Sequence, residues 1–119
     1  MGKFTETSKN IMLDALTVTY ASLHDDDPGI TGANELTGGD PAYARKPCVF
    51  NAANGGARAL NADVTFDVPA GATVLYVGYW SEIAGDFRGS DLVTQEDYTG
   101  QGQYIAYAAG TSLSLPDES

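Results

Sequence analysis

The longest apolar run of the chain, Thr73 to Trp80, limits what the sequence can fold into. It is eight residues long and rich in β-branched and aromatic side chains. A buried helix of a globular domain runs to about 10–12 residues or more, so the length and composition of this run predict a strand instead. Because the run is apolar almost throughout, we expect it to be a central strand of a sheet.

Shorter strand patterns lie on both sides of this run. Within 64–68, Val64, Phe66 and Val68 alternate with polar residues, and a Pro-Ala-Gly turn follows. Turn residues recur about every 8–12 positions, and no helical period is present after residue 16, which is typical of antiparallel β domains. We therefore predict one all-β domain over residues 1–119, an antiparallel β-sandwich of the jelly-roll or immunoglobulin-like type. The other predicted strands are 17–23, 48–51, 58–60, 90–93, 104–107 and 111–115.

The first 16 residues differ in character from the rest of the chain. Thr7 and Ser8 are suitable N-caps, and the apolar spacing that follows predicts a short helix over residues 6–15. Two or three turns are only marginally stable alone, so this helix has to pack against its own domain or a neighbouring subunit. Ile11 and Met12, on its apolar face, are therefore candidates for subunit contact.

Residues 24–47 predict a long irregular loop, because glycine, proline and aspartate are frequent in them and apolar residues are few. A loop of this length in a small domain is typically functional or organised by a partner. Tyr43, Arg45 and Lys46 lie within it, and the last two make up a third of the Lys and Arg residues of the chain. We expect these three residues to contact an acidic patch on a neighbouring subunit.

The net charge narrows the range of partners. Six Lys and Arg residues against 16 Asp and Glu residues give a formal charge of −10. Nucleic acid and anionic lipid both attract basic surfaces, so neither is an expected partner. No segment approaches the ~20 apolar residues of a membrane span, and the N-terminus lacks the unbroken apolar region of a signal peptide.

A possible metal site is the sequence His24-Asp25-Asp26-Asp27, since hard cations prefer several oxygen ligands. His24, Asp25 and Asp27 are its weak candidate ligands. The spacing does not match a calcium-binding EF-hand loop, and successive side chains of an extended segment point in opposite directions. A turn at Asp27-Pro28-Gly29 explains the same residues, so we predict no metal and no other cofactor.

Catalytic motifs are absent from the sequence. The chain has a single histidine, no Gly-Xaa-Ser-Xaa-Gly elbow and no phosphate-binding Gly-Lys-Ser/Thr loop. Its single cysteine, Cys48, precedes Val49 and Phe50 and is interpreted as a small buried apolar residue. We therefore predict no enzymatic activity, no catalytic residues and no internal disulfide.

The aromatic residues of the predicted strands allow two interpretations. They fill the core, or they form a row of exposed rings that stacks on carbohydrate. Alternation along the strands does not separate the two possibilities. The residues in question are Tyr76, Tyr79, Trp80, Tyr104 and Tyr107.

Four segments resemble a known class of proteins. They are the stretch Tyr20 to Gly39 with its continuation Pro41 to Lys46, then 51–56, 66–74 and Val77-Gly78-Tyr79-Trp80. Together they resemble the small minor tail or tail-fibre-type virion proteins of tailed phages that infect actinobacteria. The similarity covers roughly residues 8–115.

The resemblance implies a non-enzymatic structural protein of a virion, made in the host cytoplasm and exposed on the particle. Its partners would be other virion proteins, from the tail or the capsid, and further copies of itself. A minor tail or tail-fibre component is the first expectation, and a decoration protein on the outer capsid shell is the alternative. A carbohydrate-binding module that adheres to host-surface glycan is the alternative from another class.

Overall fold

The computed structural model describes residues 7, 17–52, 54 and 57–108, and the backbone of residues 112–114. Eight strands follow one another in this part of the chain. The predicted N-terminal helix, with Ile11 and Met12, falls outside the described residues apart from Thr7. The strands are β1 (Tyr20–His24), β2 (Lys46–Pro47), β3 (Ala57–Ala59), β4 (Val64–Val68), β5 (Thr73–Trp80), β6 (Phe87–Asp97), β7 (Gly102–Ala106) and β8 (Ser112–Ser114).

All of the strand pairs are antiparallel. Four strands form one sheet in the order β2-β1-β5-β6, and two further pairs are β4-β7 and β3-β8. The all-β, antiparallel architecture is confirmed and is consistent with a β-sandwich. The strand β5 has the predicted bounds and lies between β1 and β6, so its prediction as a central strand is confirmed.

The core lies between the four-stranded sheet and β4. Val64, Phe66 and Val68 are buried, whereas Thr65 is exposed, as the alternating pattern predicts. Across the core, Tyr43 stacks on Phe66 with ring centroids 6.5 Å apart. The packed aromatic rings exclude water from this side of the sheet.

Residues 25–45 form the irregular loop. Its Gly32, Ala33 and Arg45 lie against Trp80 and His24 on the other face of the four-stranded sheet, whereas its Leu36 and Tyr43 pack in the core. The loop pairs with the end of β1, because the Leu36 amide donates to the Leu23 carbonyl over 3.0 Å and an isolated bridge joins His24 to Glu35. The predicted bounds 24–47 were too wide, since His24 ends β1 and Lys46–Pro47 form β2. The sheet is therefore covered on both faces at β1 and β5.

Two predicted strands differ from the structure by more than a shift of their bounds. The segment 48–51 is not a strand, and only Phe50 forms a bridge there, with Leu60. The brief strand predicted at 90–93 is the 11-residue β6. Most of its residues are half-buried or exposed and polar, because β6 lies at the edge of its sheet, and apolar patterning does not detect such a strand.

Candidate functional site

The loop-covered face of the sheet holds a connected set of buried polar side chains. The Trp80 indole N–H donates to Ser22 Oγ over 2.7 Å, and Ser22 Oγ lies 2.6 Å from Nε2 of His24. The other ring nitrogen, Nδ1, lies 2.7 Å from the Ala33 carbonyl oxygen. A carbonyl can only accept, so Nδ1 carries the proton and Nε2 accepts from the Ser22 hydroxyl. These contacts determine the tautomer of the ring and join the loop to the sheet.

A serine hydroxyl on a histidine nitrogen is also the arrangement of a nucleophile and its general base. Here Ser22 and His24 are both 0% exposed, so no substrate reaches them. Burial lowers the pKa of His24 and outweighs the hydrogen bond to Ala33, which favours the charged ring. The pair serves the packing of the loop on the sheet. Sequence reasoning missed it, although residues two apart on a strand share a face.

Arg45 connects the loop to the same face. Its guanidinium pairs with the Glu35 carboxylate, with Nη2 2.9 Å from Oε1 and Nε 3.0 Å from Oε2, and Cζ lies 3.5 Å from the centroid of the Trp80 ring. The hydrogen bonds that the guanidinium donates to Glu35 raise the pKa of Arg45 further. A planar guanidinium can pair and stack at once, which an ammonium cannot.

Tyr43 contacts the same carboxylate from the core side. Its hydroxyl donates to Glu35 Oε2 over 2.8 Å and accepts from the Leu23 amide over 2.9 Å. Burial raises the pKa of Tyr43 above its ordinary value. The polar groups of both Tyr43 and Arg45 thus have partners within the chain, while no described residue pairs with the Lys46 ammonium. Contact of these residues with another subunit stays a prediction.

The candidate metal ligands point to different places. The His24 ring is buried against the loop, and Asp27 Oδ1 accepts from the Gly29 amide over 2.8 Å in the predicted turn. Asp25 is exposed. Among the residues that the structure describes, no three His, Cys, Asp or Glu side chains converge to hold a metal ion.

Cys48 is a free, buried thiol. Burial raises its pKa to about 11. A thiol that stays protonated at neutral pH is a poor nucleophile.

An open groove lies at the edge of the molecule where β6 and β7 meet. The groove is open to solvent and has a volume of about 530 Å³. Its walls come from the end of β6 and from β7, and its exposed large apolar side chains are Leu92 (67%) and Tyr107 (58%). The lining residues are Leu92, Val93, Thr94, Glu96, Gln103, Tyr104, Ile105 and Tyr107.

A β-bulge shapes the β6 wall of the groove. Val74 pairs with Glu96 and Tyr76 pairs with Leu92, so three residues of β6 oppose Leu75 alone. Extra residues of this kind bend a strand and redirect its side chains. Beside the groove, the Tyr98 hydroxyl lies 3.1 Å from Glu96 Oε2 and 3.0 Å from the Gln103 carbonyl oxygen, and so shares its proton between the two strands.

Other polar groups that line the groove make no hydrogen bond to the described residues. Within the described part of the chain, no hydrogen bond reaches the Thr94 hydroxyl, the Gln103 side-chain amide or the second oxygen of Glu96. Tyr104 is half-buried, and this burial raises its pKa, with the nearby Glu96 carboxylate adding to the effect. The groove therefore combines two aromatic rings with free donors and acceptors.

Of the two interpretations of the strand aromatics, the row of exposed rings does not form as a whole. Tyr79 and Trp80 are buried, and Tyr76 is half-buried on β5. Only Tyr104 and Tyr107 line the groove. The aromatic residues thus divide between the core and a surface groove.

Comparison with known proteins identifies the family. The family described as podophage GP4 fiber I protein gp80 matches residues 5–112 of the 119. The chain belongs to this fibre protein family. It is a phage tail-fibre-type protein and hence a virion component, in agreement with the resemblance found in the sequence. No curated protein matches the chain.

The family match supports only part of what the sequence resemblance implies. The family description names a podophage fibre and says nothing of actinobacteria, so an actinobacterial host stays a prediction. Among the residues that the structure describes, no helix has the length and apolar character needed to cross a membrane.

Sequence reasoning missed most of the groove residues. The sequence indicated Tyr104 and Tyr107, but Thr94 and Gln103 gave no signal, because the groove depends on how two strands from separate sheets approach each other. The exposed Leu92 within a polar segment was the one available indication.

Proposed function

We propose that the chain is a non-enzymatic structural subunit of a phage tail fibre, exposed on the virion and made in the host cytoplasm. The match of the fibre family over residues 5–112 carries this proposal. The buried Ser22–His24 pair supports the absence of catalysis, because the single histidine of the chain is inaccessible to substrate.

Within the particle, we propose that the chain is a minor tail or tail-fibre component. The family description supports a fibre protein rather than a capsid decoration protein. Copy number separates the two. Quantitative mass spectrometry of purified virions, with the major capsid subunit as the standard, should find few copies per particle. Hundreds of copies would instead indicate a decoration protein on the capsid shell. Absence from purified particles would refute the virion role.

Assembly with other virion proteins, and with further copies of the chain, takes place through residues whose polar groups are not already used. Lys46 meets this condition, whereas Arg45 is held by Glu35 and Trp80. An acidic chain repels acidic neighbours except at such a cation. We propose that the Lys46 ammonium contacts a carboxylate of a neighbouring subunit, and that Ile11 and Met12 add apolar contact.

Incorporation into particles tests the contact. Lys46→Ala should lower the amount of the protein in purified virions, and Arg88→Ala is the matched control because it removes the same charge from exposed β6. Circular dichroism should find both variants folded. Equal incorporation of the two variants would contradict the contact at Lys46.

A further inference from the structure

We propose that the groove between β6 and β7 binds a neutral oligosaccharide. Sugar rings present apolar C–H faces and hydroxyl edges, so a site for them combines aromatic rings with convergent polar groups. The groove has both, in Tyr104 and Tyr107 and in the free groups of Thr94, Glu96 and Gln103. Its volume of about 530 Å³ is that of a ligand site.

The shape of the groove indicates a chain of rings rather than a single one. Its walls run from Leu92 to Glu96 and from Gln103 to Tyr107. On the β7 side, five extended residues cover about 13 Å, whereas the bulge makes the β6 wall shorter. Tyr107 is exposed at the end of the β7 wall, so a longer glycan can continue past it.

The charge of the molecule selects a neutral ligand. Glu96 lies in the groove, Asp97 follows it, and the whole chain carries −10. A sugar that bears carboxylate, sulfate or phosphate would be repelled at this surface. A neutral hydroxyl can donate to the Glu96 carboxylate, which makes a stronger bond than one between two uncharged groups.

An extended peptide fits the groove less well. Peptides add to sheet edges through a regular ladder of backbone hydrogen bonds. The bulge opposite Leu75 interrupts that ladder along the β6 wall. Oligosaccharide binding depends on side chains and needs no such ladder.

The test is binding of the full chain to an array of neutral and acidic glycans, followed by titration with the neutral oligosaccharide that gives the strongest signal. Chemical-shift changes should concentrate on the groove residues. Tyr107→Ala should weaken binding about five- to tenfold, and Tyr107→Phe, which keeps the ring face, should restore most of it. Tyr20→Ala, a change of a half-buried tyrosine on β1, should leave affinity unchanged.

Several results would overturn the proposal. They are no binding of any neutral glycan by folded protein, equal affinity of Tyr107→Ala and the unmodified chain, stronger binding of acidic glycans, or a strand-forming peptide that alone shifts the groove resonances. That the sugar belongs to a host surface rests on the proposed fibre function. The glycan-binding proposal and the proposed fibre function can fail separately, because glycan binding is measured on the isolated protein and virion membership on particles.

Discussion

At the scale of single residues, Gly78 on β5 pairs with Ser22 on β1. A Cβ there would lie 2.5 Å from Ser22 Oγ and 2.6 Å from His24 Nε2. Neither neighbour can move without breaking its hydrogen bonds to Trp80 or Ala33. The glycine therefore makes room for the buried polar side chains.

Gly78→Ala should lower the free energy of unfolding by about 1–3 kcal/mol, because the added methyl group overpacks this site. Gly89→Ala is the matched control, since a Cβ at that position of β6 meets nothing within 4 Å. Urea denaturation of the two variants makes the comparison. Equal stabilities would mean that the Ser22–His24 contact is looser than the structure indicates.

Arg45 provides a second residue-scale prediction. Arg45→Lys keeps the positive charge but loses the two-point pairing with Glu35 and the stacking on Trp80, so it should cost about 1–2 kcal/mol of stability. Lys46→Arg should change the free energy of unfolding by less than about 0.5 kcal/mol. Thermal unfolding of the two variants makes the comparison. If Arg45→Lys leaves the stability unchanged, only the positive charge at this position matters.

At the scale of elements, the position of a strand in its sheet determines its protection. β5 is paired on both sides, with β1 and with β6, whereas β6 is paired only with β5 in the described part of the chain. Amides bonded in the centre of a sheet open only with large-scale unfolding.

Hydrogen exchange should therefore be slowest in β5 and much faster at the outward-facing amides of β6. Mass spectrometry of peptides from each strand measures the difference at one pH and temperature. Ligand in the groove should slow exchange in β6 and β7 and leave β1 unchanged. Uniform exchange across β5 and β6 would contradict the edge position of β6.

At the scale of the whole molecule, stability should depend on pH through His24. Burial lowers its pKa below the ordinary 6.5, so the unfolded chain binds the proton more readily than the folded chain. The free energy of unfolding should be fully retained above pH 6.5 and fall as the pH drops below it. Carboxylates near the ring, Asp25 and Glu35, oppose the shift, and Arg45 reinforces it.

Denaturation between pH 5 and 7.5 measures this dependence. The variant His24→Asn keeps a donor towards Ala33 but has no group that gains a proton in this range. Its free energy of unfolding should therefore be lower than that of the unmodified chain and should change less with pH. Titration of the carboxylates belongs to lower pH and affects both proteins alike. The same slope in both proteins would show that His24 does not titrate with folding.

Patterning along the sequence accounts for much of the fold. The alternation in β4 and the apolar run of β5 each follow from local chemistry, because side chains of a strand point to opposite faces. The edge strand β6 was predicted only in part, since an exposed polar strand has the same composition as a loop.

By itself the sequence determined the all-β class, the central strand, the irregular loop and the resemblance to phage fibre proteins. All of these depend on residues that are neighbours along the chain. Only the tertiary structure decided that Ser22 and His24 form a buried pair, that Arg45 stacks on Trp80 and that β6 and β7 enclose a groove. These features join residues distant along the chain or depend on what covers a sheet face, and local patterning contains no information about either.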